Sequence, residues 1–297
     1  MASVSQAPRD EAEHQYTHGH HESVLRSHRW RTAENSAGYL LPHLVPGASV
    51  LDIGCGPGTI TLDLARVVAP GPVIGIDRSE DAVAAARRLL DGTARVSFET
   101  GDLFAMRFDD ASFDVVHAHQ VLQHLGDPVA ALVEMARICR PDGLVAVRDG
   151  DYESMTWYPD YPELDRWLDL YRRTARANGG EPDAGRRLVA WARAAGCSDV
   201  TASASAWCFA TPEDRRWWAG TWAERITVTA LAERIRELGL ADQTELDEIG
   251  AAWLRWADEP DGWFSVTHGE VLCRPGLAPQ VGAVSSPSSA EMATSIE

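Results

Sequence analysis

Apolar positions between residues 48 and 150 come in short runs separated by helical patterns. Val50, Leu51 and Ile53 suit a parallel strand covered on both faces. The glycine-rich stretch Gly54-Cys55-Gly56-Pro57-Gly58 follows, then a helical rhythm with Leu64, Val67 and Val68 on one face that stops at Pro70-Gly71. The next run, Val73-Ile74-Gly75-Ile76, closes in Asp77. The pattern predicts strands near 49–53, 72–77, 95–99, 113–118 and 143–149, and helices near 59–69, 79–91 and 128–140. Ser79 reads as an N-cap, with Glu80 and Asp81 in a first turn whose dipole favours acids. Asp127 followed by Pro128 marks another helix start. Strands alternating with helices of this length imply right-handed βαβ units and a parallel sheet.

Beyond Asp149 the rhythm changes. Tyr152, Trp157, Tyr158 and Tyr161 crowd among prolines in a predicted loop. Leu164, Trp167, Leu168 and Tyr171 then repeat at helical spacing up to Asn178-Gly179-Gly180. A short helix is expected near 185–195 and a strand over 199–209, where Val200, Ala202, Ala204, Ala206 and Cys208 alternate with mostly polar residues. Helices follow from Thr211-Pro212-Glu213, near 227–238 and near 242–257, and a last strand spans 263–274. Upstream, a helix is expected from Glu22 to His43. The chain divides into a flexible N-terminus with a helical cap (1–47), a ligand-binding half (48–150), a helical half carrying the last two strands (151–274) and a Ser/Pro/Ala-rich tail (275–297) that reads as disordered.

A net charge of −17 disfavours a nucleic-acid backbone as partner. The sequence contains no Lys, and its Arg pairs 172–173, 186–187 and 215–216 are scattered. Five cysteines without C-x-x-C spacing read as reduced thiols, and hence as a cytoplasmic protein. Residues 1–13 have no apolar core of a signal peptide, and no run approaches the ~18 apolar residues of a membrane span. His18, His20 and His21 are interrupted by Gly19 and lack patterned Cys or carboxylate partners, so no metal is expected there.

The glycine turn has the form G-x-G-x-G, not the G-x-G-x-x-G of a dinucleotide fold. Glycines permit a tight turn and close backbone approach to a ligand. Together with Val73–Asp77, Gly101-Asp102-Leu103, Phe113–His117 and Arg137–Gly143, the set resembles the class I S-adenosylmethionine-dependent methyltransferases, in their small-molecule, quinone-type branch. The resemblance spans residues 48–150 and implies a Rossmann-like α/β sheet, mostly parallel, with an antiparallel last strand. The helical stretch between the last two strands would then be an insertion that helps roof the site.

An adenosyl cofactor bearing an amino acid presents a ribose diol, an adenine, a carboxylate, an ammonium and a sulfonium. Asp77 suits the diol, Arg78 the adenine plane and Asp102, beside Leu103, the adenine amino group. Gly54, Cys55 and Gly56 would lie along the methionine part, with Asp52 near its ammonium. Tyr16 and Arg31 would meet its carboxylate from a cap over the cofactor, as the resemblance implies. The loop after the fourth strand carries His119, Gln120 and His124. His119 is expected at the cofactor, His119 and His124 are candidate bases, and Gln120 is a candidate acceptor contact. Transfer from an activated sulfonium can also proceed by placement and desolvation alone.

Acceptor contacts are expected from Asp149, Tyr152, Trp157, Tyr158, Trp218 and Trp222, as an apolar pocket or an aromatic cage. The expected function is methyl transfer to a small, largely apolar or aromatic molecule, at carbon, oxygen or nitrogen, by a chain that could assemble as a homo-oligomer. The rivals are an NAD-dependent oxidoreductase, a non-methylating protein of the same fold that shapes a substrate for cyclisation, and a protein or RNA methyltransferase.

Overall fold

The computed structural model describes residues 30–92 and 95–276. Eight strands among them form one sheet: β1 (Val50–Ile53), β2 (Val73–Asp77), β3 (Val96–Thr100), β4 (Phe113–His119), β5 (Cys139–Gly150), β6 (Thr156–Tyr158), β7 (Ser198–Phe209) and β8 (Trp263–Arg274). Their order is β3-β2-β1-β4-β5-β8-β6, with β7 also paired to β8. The first five strands are parallel; β8 runs antiparallel to β5, β6 and β7. The order reverses between β1 and β4, and ligands of such sheets bind outside the carboxyl ends at that reversal.

Helices cover both faces. Val50, Val73, Val115 and Ala146 pack against Leu64 and Val68 of α2 (Thr59–Val68), and beneath Ala33 and Ala37 of the N-terminal segment. Leu51, Val116, Val145 and Val147 point the other way, onto Leu132 and Met135 of α4 (Pro128–Ile138) and Leu188 of α6 (Leu188–Ala194). Helix α3 (Glu80–Arg87) starts at its Ser79 cap, whose side chain accepts from the Ala82 amide.

A separate core belongs to the helical half. It joins α5 (Pro162–Ala177), α7 (Pro212–Val228), α8 (Ala230–Glu237) and α9 (Gln243–Ala257) through Trp167, Trp222, Trp253 and Phe264. Helices α7 to α9 all lie between β7 and β8 in the chain. No helix among the described residues is long and apolar enough to cross a membrane.

Two expectations change. From residue 30 onward the helix expected over 22–43 is one turn, α1 (Ala33–Ser36), and a 3-10 turn (Leu41–His43). Thr32 caps α1, and at Gly38 the chain folds so close that a Cβ would sit 2.8 Å from the Glu34 carbonyl oxygen. Val24 and Leu25 lie outside the described residues, as do Tyr16, the histidines 18, 20 and 21, and the tail from 277. Residues 156–158, expected as loop, form β6, with Trp157 opposite Phe264.

Candidate active site

The turn after β1 is built from conformations that side chains resist. Gly54, Gly56 and Gly58 have φ of 67°, 54° and 84°. A Cβ on Gly54 would stand 2.4 Å from Val121 Cγ2, so the loop after β4 presses directly on the turn. The Cys55 amide donates to the Ile76 carbonyl at 2.9 Å. The Cys55 thiol is buried and its pKa is pushed up, first by burial and then by Asp52 and Asp77, which makes it a filler and not a nucleophile.

Asp77 ends β2 beside this turn. One carboxylate oxygen accepts from the Gly56 amide and the other from the Ser79 amide, each at 2.9 Å. Each oxygen keeps a further lone pair, and the side chain is only half-buried. Arg78 is exposed next to it. Asp102 is exposed and accepts from the Phe104 amide at 2.8 Å, while Leu103 turns into the core. Asp52 is buried under the turn, with its oxygens on His117 Nδ1 (2.7 Å) and Thr61 Oγ1 (2.5 Å). It fastens β1 to β4 and α2 beneath the turn.

The carboxyl end of β4 carries His119. Its ring is buried, 6 % exposed, and neither nitrogen has a hydrogen-bond partner among the described residues. Its centroid lies 5.7 Å from Trp207 and 6.1 Å from His268. Burial, and then Arg148 and Arg31, hold the imidazole well below its usual pKa, so it is neutral. Arg31 and Arg148 stand over Trp207, at 5.5 and 5.0 Å from its ring centroid. Trp207 also donates to the Asn35 carbonyl at 2.7 Å, which ties the N-terminal segment down beside the site.

Gln120 follows at φ 54°, and its carboxamide nitrogen lies 2.9 Å from His268 Nε2. His124, expected as a candidate base, sits 3.1 Å from the Gln123 carboxamide, and burial with Arg31 and Arg225 pushes its pKa down to about 3. That is too low for a base working near neutrality. Asp149 is fully buried and accepts from the Gln123 amide at 3.1 Å. It braces the turn after β4 from below, where the sequence suggested an acceptor contact. Asp151 is held by Arg186 at 2.6 and 2.7 Å.

The downstream aromatics are mostly core. Trp218 stacks on Phe209 at 4.3 Å, Trp222 meets Trp167 edge-on at 4.5 Å, and Tyr152 stacks on Tyr171 at 4.3 Å. Trp157 is half-buried against Phe264, and Tyr158 is 58 % exposed on β6. Trp218, Trp222 and Tyr152 belong to the core formed where the insertion helices pack on one another and on β8. Trp207, which does face the site, was read only as part of a strand.

The sequence reading also missed a buried ion pair on this sheet face. Arg148 Nε lies 3.2 Å from Glu270 Oε1, and Ser203 donates to Glu270 at 2.7 Å. Burial lowers the Arg148 pKa to about 10 against the pull of Glu270. The visible signal is a charge abutting each of two apolar runs, Arg148 after Val145–Val147 and Glu270 before Val271–Leu272. No group of three or more metal-ligating side chains occurs among the described residues.

A parallel sheet with one reversed strand, a glycine turn after β1 and a carboxylate ending β2 define a Rossmann-like cofactor-binding fold of the methyltransferase type. Residues 44–196 match the family described as the methyltransferase domain. The chain is 35% identical over 267 residues to an uncharacterised methyltransferase of Schizosaccharomyces pombe, covering 86% of this chain and 95% of that protein. It is 35% identical over 121 residues to the demethylmenaquinone methyltransferase of Lactococcus lactis, which covers 40% of this chain and 48% of that one. The fold matches that of the YcgJ protein of Bacillus subtilis with a TM-score of 0.53 at 20% identity, over 81% of this chain and 98% of the other. The chain belongs to the methyltransferase-domain family and is an S-adenosylmethionine-dependent methyltransferase.

Proposed function

We propose that this methyltransferase acts on a small, largely apolar or aromatic acceptor of quinone-like or secondary metabolism, in the cytoplasm. The observation that carries the reading is His119: a buried, neutral imidazole with both nitrogens unpaired among the described residues, beside the loop that presses on the glycine turn. Unpaired buried polar atoms are costly unless a ligand uses them. Five unpaired thiols support a reducing compartment. The Lactococcus relative matches over 121 residues, 40% of this chain, which supports the quinone-like class.

In this reading Asp77 takes the ribose diol, Arg78 and Asp102 the adenine, and Gly54 to Gly56 the methionine part. Arg31 reaches its carboxylate from the N-terminal segment. When bound, the cofactor supplies a methyl group already activated on a sulfonium. The chain's task is then to hold an acceptor in line and keep water out. His119 is uncharged at neutral pH, so it can orient an acceptor by hydrogen bonding; its depressed pKa makes it, like His124, a poor proton acceptor. Arg148 and Glu270 fix the floor next to it.

The test is transfer of a labelled methyl group from the cofactor to a panel of phenols, hydroquinones and aryl amines, with binding of S-adenosylhomocysteine measured beside it. Transfer to at least one member is expected. Tight binding of the demethylated cofactor without any transfer would overturn the acceptor class proposed here.

A further inference from the structure

Gln120 is held in an unusual way. It follows the last residue of β4 with φ 54°, a left-handed conformation that non-glycine residues adopt sparingly and mostly where something fixes them. Its amide donates to the Arg148 carbonyl at 2.7 Å, which extends the β4–β5 ladder by one bond. The half-buried side chain bridges from β4 to β8 across the end of β5. There the residue in register with His268 is Gly150, which contributes no side chain.

His268 is fully buried and its tautomer follows from its partners. Nδ1 lies 3.2 Å from the Val266 carbonyl oxygen, which can only accept, so Nδ1 carries the proton. Burial, with Arg148 and Arg31 nearby, keeps the ring neutral, so Nε2 offers a lone pair. The Gln120 group at 2.9 Å from Nε2 must therefore be the NH2. The carboxamide oxygen is then turned away from His268. Trp207, 4.3 Å from the His268 centroid, packs the ring in place.

We propose that His268 is a positioning residue for the methyl acceptor: by holding the NH2 of Gln120 it presents the Gln120 carboxamide oxygen to the cleft beside His119, where it accepts a hydrogen bond from a hydroxyl or N–H of the acceptor. The inference rests on the methyl-transfer reading of this site and adds a specificity rule to it. The preferred acceptor carries a donor on or next to the atom that receives the methyl group. An acceptor without one leaves the Gln120 oxygen unpaired, and buried unpaired groups are what make hydrogen-bonding sites selective.

Two probe pairs differ only in that donor: 1-naphthol against 1-methoxynaphthalene, and 1-naphthylamine against its N,N-dimethyl derivative. Each is titrated calorimetrically into the full chain saturated with S-adenosylhomocysteine. The wild type is expected to bind the donor-bearing member of at least one pair tenfold or more tightly. In His268→Leu and in Gln120→Met that ratio should fall below threefold while affinity for S-adenosylhomocysteine stays within twofold. Nitrogen-15 shifts of the wild-type histidine ring should independently show the Nδ1–H form, with the Nε2 signal moving in Gln120→Met. A merely structural His268 would lower both affinities together and leave their ratio intact, and that result overturns the proposal. Equal binding of both members, no binding of either, or an Nε2–H ring overturns it too. Failure to bind S-adenosylhomocysteine at all would instead sink the methyl-transfer reading.

Discussion

Asp77 anchors the turn and is the residue proposed for the ribose diol. Its two oxygens hold the Gly56 and Ser79 amides, which shapes the turn, and the carboxylate is half-buried with a lone pair left on each oxygen. Replacing it by Ala removes the turn's anchor and, in the proposed reading, the bidentate partner for a diol together. Asp77→Ala is expected to weaken S-adenosylhomocysteine binding by about tenfold or more, read by calorimetry; unchanged affinity would refute the ribose assignment. His119 makes a different kind of claim. Its pKa lies well below 6.5, so the ring does not change charge across the neutral range. Turnover in the wild type should therefore show no His119 titration between about pH 6.5 and 8. His119→Ala should lower kcat, and a folded variant with full kcat would remove His119 from the reaction.

At the scale of elements, the decisive contact is between the turn after β1 and the loop after β4. Gly54 is doubly constrained, by φ of 67° and by Val121 Cγ2 at 2.4 Å from where a Cβ would sit. Gly54→Ala should destabilise the fold by roughly 1–3 kcal/mol and weaken cofactor binding. Adding Val121→Ala should recover the steric part of the loss but not the backbone part, which urea unfolding of the single and double variants separates. No recovery in the double variant would mean that the packing against Val121 is unimportant. The strands flanking this contact are legible in the sequence, because each is a short continuous apolar run and the glycine turn lies between a strand and a helical pattern. β6 is not: three residues ahead of Pro159 carry no period, and only the pairing with Trp263–Ser265, far along the chain, makes Thr156–Tyr158 a strand. Trp218 and Trp222 were read toward a pocket for a related reason. Helical spacing shows that a face is apolar, but not whether it meets a cavity or another helix, and here it meets Phe209, Trp167 and Trp253.

Across the whole molecule, the sheet face beneath the N-terminal segment is a row of buried polar groups: Asp52 with His117, then His119, then Arg148 with Glu270, then His268. The chain keeps these groups in place of apolar packing, and the pH dependence of stability should report the choice. Burial depresses the pKa of His119, His268 and His124, the last to about 3. Below the unfolded histidine value of about 6.5 the unfolded chain binds protons that these folded rings refuse, so stability falls as pH drops through that value. Asp149 works in the opposite sense. Burial raises it to about 7, so from about pH 4 to 7 the unfolded carboxyl loses its proton first and the folded state loses stability as pH rises. Each pKa unit is worth about 1.4 kcal/mol, so Asp149 alone opposes the histidines by a few kcal/mol. Three groups outweigh one, and the net curve should climb from acid toward neutrality. Asp149→Asn removes the opposing group and keeps an oxygen for the Gln123 amide. Relative to the wild type it should therefore gain stability from pH 5 to pH 8, by about 1 kcal/mol or more in urea unfolding. A constant difference between the two proteins across that range would show that Asp149 is already ionised in the folded chain, and that the turn after β4 is braced by a carboxylate and not by a protonated acid.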